Sequence, residues 1–436
     1  MTGFRISLPT RASARGGWWR RSMLGAVIGA ATLCGLGAVD RAAAGDITIW
    51  HNYGTEVNAT ALGNVVDAFS KAHPDIKVNL VSQPADNYFA LLTAASIAHK
   101  APDIAVMWTG LFAIKYAHLL ADLRPLLPKE PLAEMKGLQW ASEDFDLNKK
   151  LYVLPLEDQF YIGFYNKALL KKAGLDSPPR DWAELADACT KLRAAGITPL
   201  LYGSDSQALS SEFYPFYDFS YLMAGIYPVE AWTGFASGKI PWTSPQIAAE
   251  VQKWADLHTN GCTNPDVLTA TDILTQFNQG KAAMIVDGNW NLQQLSDKLG
   301  PDLGVFPLPY SDAPMKGVVQ MPGDGLSILK SSTNKEDAAT FLTFLMSGEA
   351  QQILSKTGLI PGRQGYAASN PLYVGLLALS SQGFTKYPMI DNVIQGELVD
   401  TGQRVLNAAF AGQMKVSDAM QKMQDTWNNL PADEKK

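Results

Sequence analysis

The most constraining feature of the sequence is an apolar stretch that a proline and two acids divide into two parts. Residues 151–154 have the composition of a short β-strand, and Pro155 ends it because proline has no backbone N–H to donate to a sheet ladder. Glu157 and Asp158 follow, and a second apolar and aromatic run covers residues 160–165. Two strands in this arrangement form either a hairpin or a crossing of the chain from one domain to another.

Alternating strand and helix patterns precede this stretch. Residues 46–50, 76–80 and 104–108 are short apolar runs of strand length. Two helical patterns lie between them, one over residues 88–99 and one whose apolar positions recur at helical spacing, Leu62, Val65, Val66 and Phe69. Strands that alternate with helices in this way predict βαβ units, a parallel sheet and right-handed crossovers, which is an α/β fold.

The rest of the chain is long enough for a second domain, and two domains are expected for 436 residues. Asp181 precedes Glu184 by three positions, which is the capping-box spacing that opens a helix. Residues 303–309 and 359–362 are apolar and contain proline, as the first stretch does. They are predicted as two further crossings between the domains.

The N-terminus has the three parts of a secretory signal. Basic residues, which include the pair Arg20-Arg21, precede an apolar run over 23–39, and small residues at 42–44 supply a cleavage site. The apolar run is too short and too rich in small residues for a comfortable membrane span. Residues 1–44 are therefore predicted to be a signal peptide for export to the periplasm, by the general secretory route or, given the paired arginines, by the twin-arginine route.

Removal of that leader makes the chain more acidic. The formal net charge is −6, residues 1–44 hold six arginines and one aspartate (+5), and the mature chain therefore carries −6 − 5 = −11. An acidic surface argues against nucleic acid or an anionic membrane as partner. Cys189 and Cys262 remain in the mature chain. Export permits a disulfide between them, but the sequence does not show that their Cα atoms approach.

No motif of a known enzyme class stands out. The sequence lacks a G-x-S-x-G elbow, an H-E-x-x-H helix and a phosphate-binding P-loop, and its five histidines lack the spacing of metal ligands. Three interpretations of Glu157 and Asp158 stay open: the acid pair of a glycosidase, a solvated turn, or a carboxylate that accepts hydrogen bonds from sugar hydroxyls at a cleft. The third is favoured, because adjacent residues of an extended segment point to opposite faces and flank one bond poorly.

Aromatic residues at predicted strand ends and in loops favour a sugar. A pyranose ring packs its C–H face on indole or phenol rings, while its hydroxyls need charged or amide partners. Six residues are placed to build such a platform: Trp50, Tyr53, Trp108, Tyr214, Tyr217 and Trp290. The loop Gly323-Asp324-Gly325 is predicted to bring backbone close to a neutral ligand, because Asp324 would repel a phosphate.

Several sequence blocks occur in a characteristic order along the mature chain. They cover residues 47–51, 69–78, 101–104, 152–167, 181–185, 280–290 and 336–361. In this order the chain resembles extracellular solute-binding proteins of family 1, the maltose-binding-protein-like sugar receptors of ABC importers. It departs from maltose binders at residues 109–112, which are apolar where maltose binders carry a charged pair, and near Glu397 and Leu398, where a tryptophan-tyrosine step is missing. A ligand other than maltodextrin is therefore expected.

The resemblance implies an α/β, two-lobed periplasmic-binding-protein fold of type II, with three crossings and a ligand cleft between the lobes. It implies an N-terminal lobe over 45–156 and 310–361 and a C-terminal lobe over 157–309 and 362–436. The expected protein is a monomer, not an enzyme, with no cofactor and no metal. It would bind a sugar or oligosaccharide and deliver it by domain closure to ABC transporter permease subunits in the inner membrane.

Carried over by position, Glu157 resembles the hinge carboxylate that bonds sugar hydroxyls, and Tyr214 and Trp290 resemble aromatic platforms of the second lobe. The full set of expected ligand-binding residues is His51, Tyr53, Trp108, Thr109, Glu157, Asp158, Tyr214, Tyr217, Asp287, Asn289, Trp290, Gly323, Asp324 and Gly325. Two alternatives remain. One is a binder of a non-sugar solute such as a glycerol phosphodiester or a polyol, and the other is a secreted glycoside hydrolase.

Overall fold

Strands and helices alternate along the chain, as the sequence pattern predicts. A computed structural model describes residues 45–54, 57–84, 87–203, 214–432 and 434–435, so the predicted signal peptide lies outside the described residues. The strands are β1 (Gly45–His51), β2 (Ile76–Ser82), β3 (Ile104–Trp108), β4 (Leu154–Pro155), β5 (Asp158–Asn166), β6 (Thr198–Leu201), β7 (Ala282–Gly288), β8 (Leu303–Phe306), β9 (Gly317–Pro322), β10 (Asp324–Ile328) and β11 (Thr385–Tyr387).

The α-helices differ widely in length. They are α1 (Val57–Ala72), α2 (Tyr88–Ile97), α3 (Leu111–Lys115), α4 (Lys129–Ala133), α5 (Lys167–Lys172), α6 (Trp182–Ala194), α7 (Tyr214–Tyr217), α8 (Phe219–Ala224), α9 (Thr233–Ala236), α10 (Pro245–Thr259), α11 (Ile273–Asn278), α12 (Leu292–Leu299), α13 (Lys335–Leu345), α14 (Gly348–Lys356), α15 (Pro371–Ala378), α16 (Gly396–Phe410) and α17 (Val416–Asn429). The described part of the chain contains no helix that is long and apolar enough to span a membrane.

The first sheet contains five strands in the order β2-β1-β3-β10-β4. β1 runs parallel to β2 and β3, while β10 runs antiparallel to β3 and β4. The predicted face of α1, with Leu62, Val65 and Phe69, is buried in the core of this sheet. Helix packing on a central strand explains why β3 is apolar at almost every position.

The second sheet has β5 at its centre, in the order β11-β9-β5-β7-β6, with β8 also paired to β5. β5 is antiparallel to β7, β8 and β9, and all of its residues except Tyr165 are buried. This central place explains the uninterrupted apolar and aromatic run of the sequence, because a strand flanked on both edges and covered on both faces needs no polar alternation.

Three segments pass between the sheets and lie side by side. The first joins β4 to β5 through Leu156 and Glu157, the second joins β9 to β10 through Gly323, and the third covers residues 359–361. Leu156 N–H donates to Asp324 O at 2.9 Å, and Gly362 N–H donates to Leu156 O at 3.1 Å. Glu157 and Pro361 form an isolated antiparallel bridge. The first crossing therefore lies between the other two.

The second passage occurs later in the chain than the sequence pattern suggests. Residues 303–309 are not a crossing, because β8 pairs with β5 and Leu308 lies in the core of the second sheet. β9 also belongs to the second sheet, and the chain leaves it at Gly323. The proline that follows β8 ends a strand instead of starting a crossing. We therefore infer that residues 310–322 belong to the C-terminal lobe and not to the N-terminal one.

Two local features of the second lobe agree with sequence patterns. The Asp181 carboxylate accepts the Glu184 N–H at 2.9 Å and caps α6, and Glu184 in turn accepts the N–H of Arg180 at 2.8 Å. Cys189 of α6 and Cys262, which follows α10, form a disulfide with a Cα–Cα distance of 5.3 Å. The sequence left this pairing open.

Candidate functional site

Glu157 lies on the first crossing and is fully buried. Its Oε1 accepts hydrogen bonds from Asn58 Nδ2 and, at 3.1 Å, from Gln159 Nε2. Its Oε2 is buried without a hydrogen-bond partner among the described residues. Burial, followed by repulsion from Asp324, raises the pKa of Glu157 to about 8. A fully buried carboxyl with an unused oxygen is the kind of group expected at a functional site.

Asp158 has different partners from its neighbour. It lies 3.4 Å from Lys136 Nζ in an ion pair, and Gln320 Nε2 donates to its Oδ2 at 3.4 Å. Asp158 is also buried, so the two acids do not form a solvated turn. Their separate partners agree with the expectation that adjacent residues of an extended segment point to opposite faces.

The carboxyl end of β1 contributes polar groups from the first lobe. His51 and Tyr53 are buried, and their rings stack with centroids 5.5 Å apart. His51 Nδ1 and Asn52 Oδ1 have no hydrogen-bond partner in the described structure, and burial lowers the pKa of His51. Asn58 follows on the first turn of α1, is 2% exposed, and keeps an unpartnered Oδ1. Open α/β sheets bind ligands at this end of their strands.

The predicted contact loop after β3 has a structural role at its threonine. Thr109 is fully buried, its N–H donates to Gly323 O at 3.0 Å, and its hydroxyl donates to Pro322 O. Thr109 therefore fastens the first lobe to the second crossing, and its hydroxyl proton is already used. Trp108 is half-buried and packs against Phe89 and Phe112 with centroid distances of 4.9 and 4.6 Å.

The end of β7 brings second-lobe residues to the hinge. Asp287 accepts Gly288 N–H at 2.6 Å and Asn291 Nδ2 at 2.8 Å, so its carboxylate closes the local turn. Asn289 is fully buried; its Oδ1 accepts Phe160 N–H at 2.7 Å, while its Nδ2 has no partner in the described structure. This turn also contacts α1, which carries Asn58.

Trp290 lies half-buried over Gly288. A Cβ atom at position 288 would lie 2.0 Å from the Trp290 ring, so the ring can occupy this place only above a glycine. Gly288 has φ −86° and ψ 161°, which any residue adopts. Position 288 therefore requires glycine to leave room for the Trp290 ring, and not because of its backbone conformation.

Two tyrosines of α7 belong to the predicted site. Tyr217 is half-buried, and its ring packs edge-on against Tyr161 at 5.5 Å. Burial, then Asp391 and Asp324, raise the pKa of Tyr217, which places both carboxylates around the same phenol. The side chain of Tyr214 lies outside the part of the structure that is described.

The glycines of the predicted loop Gly323-Asp324-Gly325 serve close packing of the crossings. A Cβ at Gly325 would lie 2.4 Å from Leu154 O, and a Cβ at Gly323 would overlap the side chain of Gln159. The segment is thus part of the hinge and not a loop that wraps a ligand. Asp324 is half-buried, and its carboxylate acts on both Glu157 and Tyr217.

Four polar residues of the site have no signal in the sequence. Asn58, Gln159, Gln320 and Asp391 are buried, yet each stands alone in an otherwise ordinary segment. Asp391 keeps an unpartnered Oδ1 among the described residues, and burial raises its pKa to about 7. These side chains come together because segments that are distant in sequence meet in the fold, and the sequence alone does not show this.

Many other aromatic side chains of the second lobe are structural. Asp218 is fully buried and accepts hydrogen bonds from four aromatic side chains, Tyr161, Tyr202, Trp254 and Tyr310. Burial raises its pKa to about 6. Trp232, Trp242 and Trp254 are also fully buried in the second lobe. Trp290 and Tyr217 remain as half-buried aromatic residues close to the hinge.

Arg124 and Arg363 already have partners within the protein. Arg363 bonds Glu134 at 2.7 Å and Met346 O at 2.7 Å, and Arg124 bonds Lys149 O and Ser142 Oγ. Within the described ranges there is no group of three His, Cys, Asp or Glu side chains that could hold a metal ion.

Comparisons with known proteins agree on the kind of protein. A family model described as bacterial extracellular solute-binding protein matches residues 53–352, which is more than half of the chain. The sn-glycerol-3-phosphate-binding periplasmic protein UgpB of Pectobacterium atrosepticum is 26% identical over 372 residues, which cover 76% of this chain and 78% of that protein.

Solved structures share the fold. One described as a chitin oligosaccharide binding protein matches with a TM-score of 0.77 and 23% identity over 88% of this chain and 98% of that one. The maltose-bound MalE3 of T. maritima matches with a TM-score of 0.71 and 22% identity over 88% of this chain and 99% of that one. These matches confirm the predicted α/β, two-lobed, maltose-binding-protein-like fold.

Proposed function

The chain belongs to the family of bacterial extracellular solute-binding proteins, and from this premise we propose that it binds a sugar or oligosaccharide between its lobes and delivers it to the permease of an ABC importer. We further propose that residues 1–44 direct its export to the periplasm. Ligand contacts to both lobes would favour the closed arrangement, which the permease recognises.

The observation that carries this proposal is a set of buried polar atoms without partners at the hinge. Within the described structure they include Asn58 Oδ1 of the first lobe, Glu157 Oε2 of the crossing and Asn289 Nδ2 of the second lobe. A buried polar group without a hydrogen bond costs about 1–3 kcal/mol. A ligand with many hydroxyls would satisfy donors and acceptors of both lobes at once, and Trp290 and Tyr217 offer aromatic surface for its ring.

The similarity to UgpB keeps a phosphorylated solute as the second candidate. A phosphate needs cations or convergent N–H donors. The only lysine that contacts the described hinge acids is Lys136, and it already pairs with Asp158. Carboxylates surround Glu157 instead. These charges favour a neutral or cationic ligand over a phosphate.

A glycoside hydrolase is the weaker alternative. Its two carboxyl groups must flank one glycosidic bond. Glu157 and Asp158 are adjacent on one strand and bond different partners, Asn58 on one side and Lys136 on the other. They therefore lack the opposed arrangement that the reaction requires.

A thermal-shift screen of the mature protein against sugars, polyols and glycerol phosphates tests the proposal. A ligand at a hundred times its Kd adds about 2.7 kcal/mol to the free energy of unfolding, which raises the melting temperature measurably. We expect a shift with a sugar and unchanged sugar afterwards. A shift with glycerol phosphates alone would contradict the proposed ligand class, and consumption of the sugar would contradict a pure binding protein.

Gly288→Ala then tests whether the site is placed correctly. The added methyl displaces the Trp290 ring, so we expect sugar binding to weaken by about 1–3 kcal/mol, the size of a lost aromatic contact and its hydrogen bonds. Gly63→Ala is the matched control, because a Cβ at Gly63 meets no atom within 4 Å. Unchanged affinity in Gly288→Ala, measured by calorimetry, would contradict the role of Trp290.

A further inference from the structure

The unpartnered buried atoms near the hinge are mostly acceptors. Among the described residues they comprise the oxygens Asn52 Oδ1, Asn58 Oδ1, Glu157 Oε2, Gln320 Oε1 and Asp391 Oδ1, against one amide donor, Asn289 Nδ2, and the ring nitrogen His51 Nδ1. The carboxyl oxygens act only as acceptors when they are ionised, so a ligand that leaves Glu157 and Asp391 ionised must supply more donors than acceptors.

The hydrogen bonds of Asn58 and Gln320 determine which atom of each side-chain amide has no partner. Asn58 Nδ2 donates to Glu157, and Gln320 Nε2 donates to Asp158. Glu157 Oε1 also accepts from Gln159, and Asp158 pairs with Lys136, so both oxygens act as acceptors and neither amide can be turned round without losing its bond. Asn58 is 2% exposed and Gln320 is 6% exposed. The acceptor surplus is therefore a property of the hydrogen-bond network.

The charged groups around Glu157 also favour a ligand that donates hydrogen bonds. The groups that act on it are the amides of Asn58 and Gln159, which donate, and the carboxylates of Asp324 and Asp158, which repel. Asp391 lies near Tyr217, as Asp324 does, and its carboxyl is influenced by burial and by backbone N–H groups alone. Lys136, the cation in contact with this region, is paired with Asp158.

We propose that the ligand is a saccharide or cyclitol that carries a protonated amine, and that the ammonium group donates to Glu157 Oε2 and Asn58 Oδ1. This inference rests on the proposed function, since it names the ligand class of the same cleft. Neither oxygen has a partner among the described residues, and an ammonium has three donors and no acceptor. A neutral hydroxyl can also bond the protonated carboxyl, but it gains no attraction from the Asp324 carboxylate, which acts on the same position.

Binding of the ammonium has a consequence for protons. Burial and Asp324 raise the pKa of Glu157 to about 8, so its carboxyl is protonated at pH 6.5 in the free protein. An ammonium beside it favours the carboxylate. On binding, the carboxyl loses its proton to the buffer, and the resulting carboxylate forms an ion pair with the ammonium. A neutral sugar gives no such release.

Titration calorimetry of the mature wild-type protein at pH 6.5 tests this inference with matched pairs. The pairs are glucosamine with glucose, galactosamine with galactose, mannosamine with mannose, and the disaccharide of β-1,4-linked glucosamine with cellobiose. Spermidine tests an amine without a sugar ring, and two buffers of different ionisation enthalpy report the protons released. We expect at least one amine to bind ten-fold or more tighter than its hydroxyl partner, with release of up to one proton.

Other outcomes separate the two proposals. Equal or tighter binding of the hydroxyl partner would overturn the amine and leave the sugar-binding function standing. Spermidine that binds more tightly than every sugar would overturn the saccharide part. If none of the sugars binds, the result contradicts the proposed function and therefore also this inference.

Two variants, Glu157→Gln and Asn58→Ala, test where the amine of the ligand binds. In Glu157→Gln we expect the preference for the amine over its hydroxyl partner to fall below about three-fold and the proton release to vanish. Asp67→Asn, an exposed carboxylate on α1, is the control and should keep both. Asn58→Ala, which leaves Glu157 in place, should reduce amine binding while part of the proton release remains. Full preference in both Glu157→Gln and Asn58→Ala would overturn the assignment.

Discussion

At the scale of single residues, Glu157 shows what burial of an acid does at a hinge. Removal of a carboxylate from water without full hydrogen bonding is unfavourable, and the group responds by holding its proton. The amides of Asn58 and Gln159 offset part of this cost at one oxygen and leave the other without a hydrogen-bond partner among the described residues. If the proposed ligand reaches this oxygen, part of its binding free energy comes from satisfying it.

The raised pKa of Glu157 predicts how stability depends on pH. The folded state holds the proton up to about pH 8, whereas the unfolded chain loses it near its ordinary value of 4.5. The stabilisation is complete below about pH 4.5 and is lost as pH rises to about 8, by an amount on the order of a few kcal/mol. Asp218 and Asp391, with pKa values of about 6 and 7, act in the same direction.

Urea unfolding of the free protein between pH 4.5 and 8.5 checks this. We expect the free energy of unfolding to fall across the range, and the fall to be smaller in Glu157→Gln, which has no proton to lose. Asp67→Asn should follow the wild type. A pH slope in Glu157→Gln as steep as that of the wild type would show that Glu157 does not hold its proton in the folded state.

Residue identity in the site was predictable only where the local sequence marks it. Glu157 follows a strand that ends in proline, and Trp290 follows a buried strand, so both could be singled out. Asn58 and Asp391 could not be singled out, because their neighbours in the folded structure lie far away in sequence. Thr109 was predicted as a ligand contact, but its hydroxyl donates to Pro322 O, a partner more than two hundred positions later.

At the scale of elements, local signals predicted helices better than they predicted strand partners. The apolar face of α1 and the cap of α6 are short-range features, and both are present. β8, β9 and β10 are all buried strands of similar composition, and the sequence does not say which sheet each joins. The crossing at Gly323 was missed for this reason, since sheet membership depends on non-local pairing.

The disulfide joins two elements of the second lobe, α6 and the end of α10. It closes a loop of 73 residues, and the chain-entropy account then gives about 4 kcal/mol of stabilisation. We expect Cys189→Ser/Cys262→Ser to lose up to this amount in chemical unfolding under oxidising conditions, while ligand affinity stays unchanged because neither α6 nor the segment after α10 carries a candidate site residue. Equal stability of the variant and the oxidised wild type would contradict a structural role for the bond.

At the scale of the whole molecule, the lobes touch away from the crossings as well as at them. Gly110, in the first-lobe loop before α3, approaches Asn392, which is held in the second lobe through Met321 of β9. A Cβ at Gly110 would lie 2.3 Å from Asn392 O. The same region brings Lys115 beside Gly396 and Asp400 near Tyr116. This rim contact is available only while the lobes are close together.

Gly110→Ala should therefore disfavour the closed arrangement. The methyl meets the Asn392 carbonyl, and φ +77° with ψ −152° is a backbone conformation essentially restricted to glycine, so strain adds about 1–3 kcal/mol. Gly174→Ala is the control for a methyl at a positive-φ glycine without a steric contact, because Gly174 has φ +75° with no atom within 4 Å of its Cβ position. For Gly110→Ala alone, we expect a larger radius of gyration in small-angle scattering. We also expect weaker ligand binding in a binding measurement. The same radius and affinity in Gly110→Ala and Gly174→Ala would show that the rim contact does not contribute to closure.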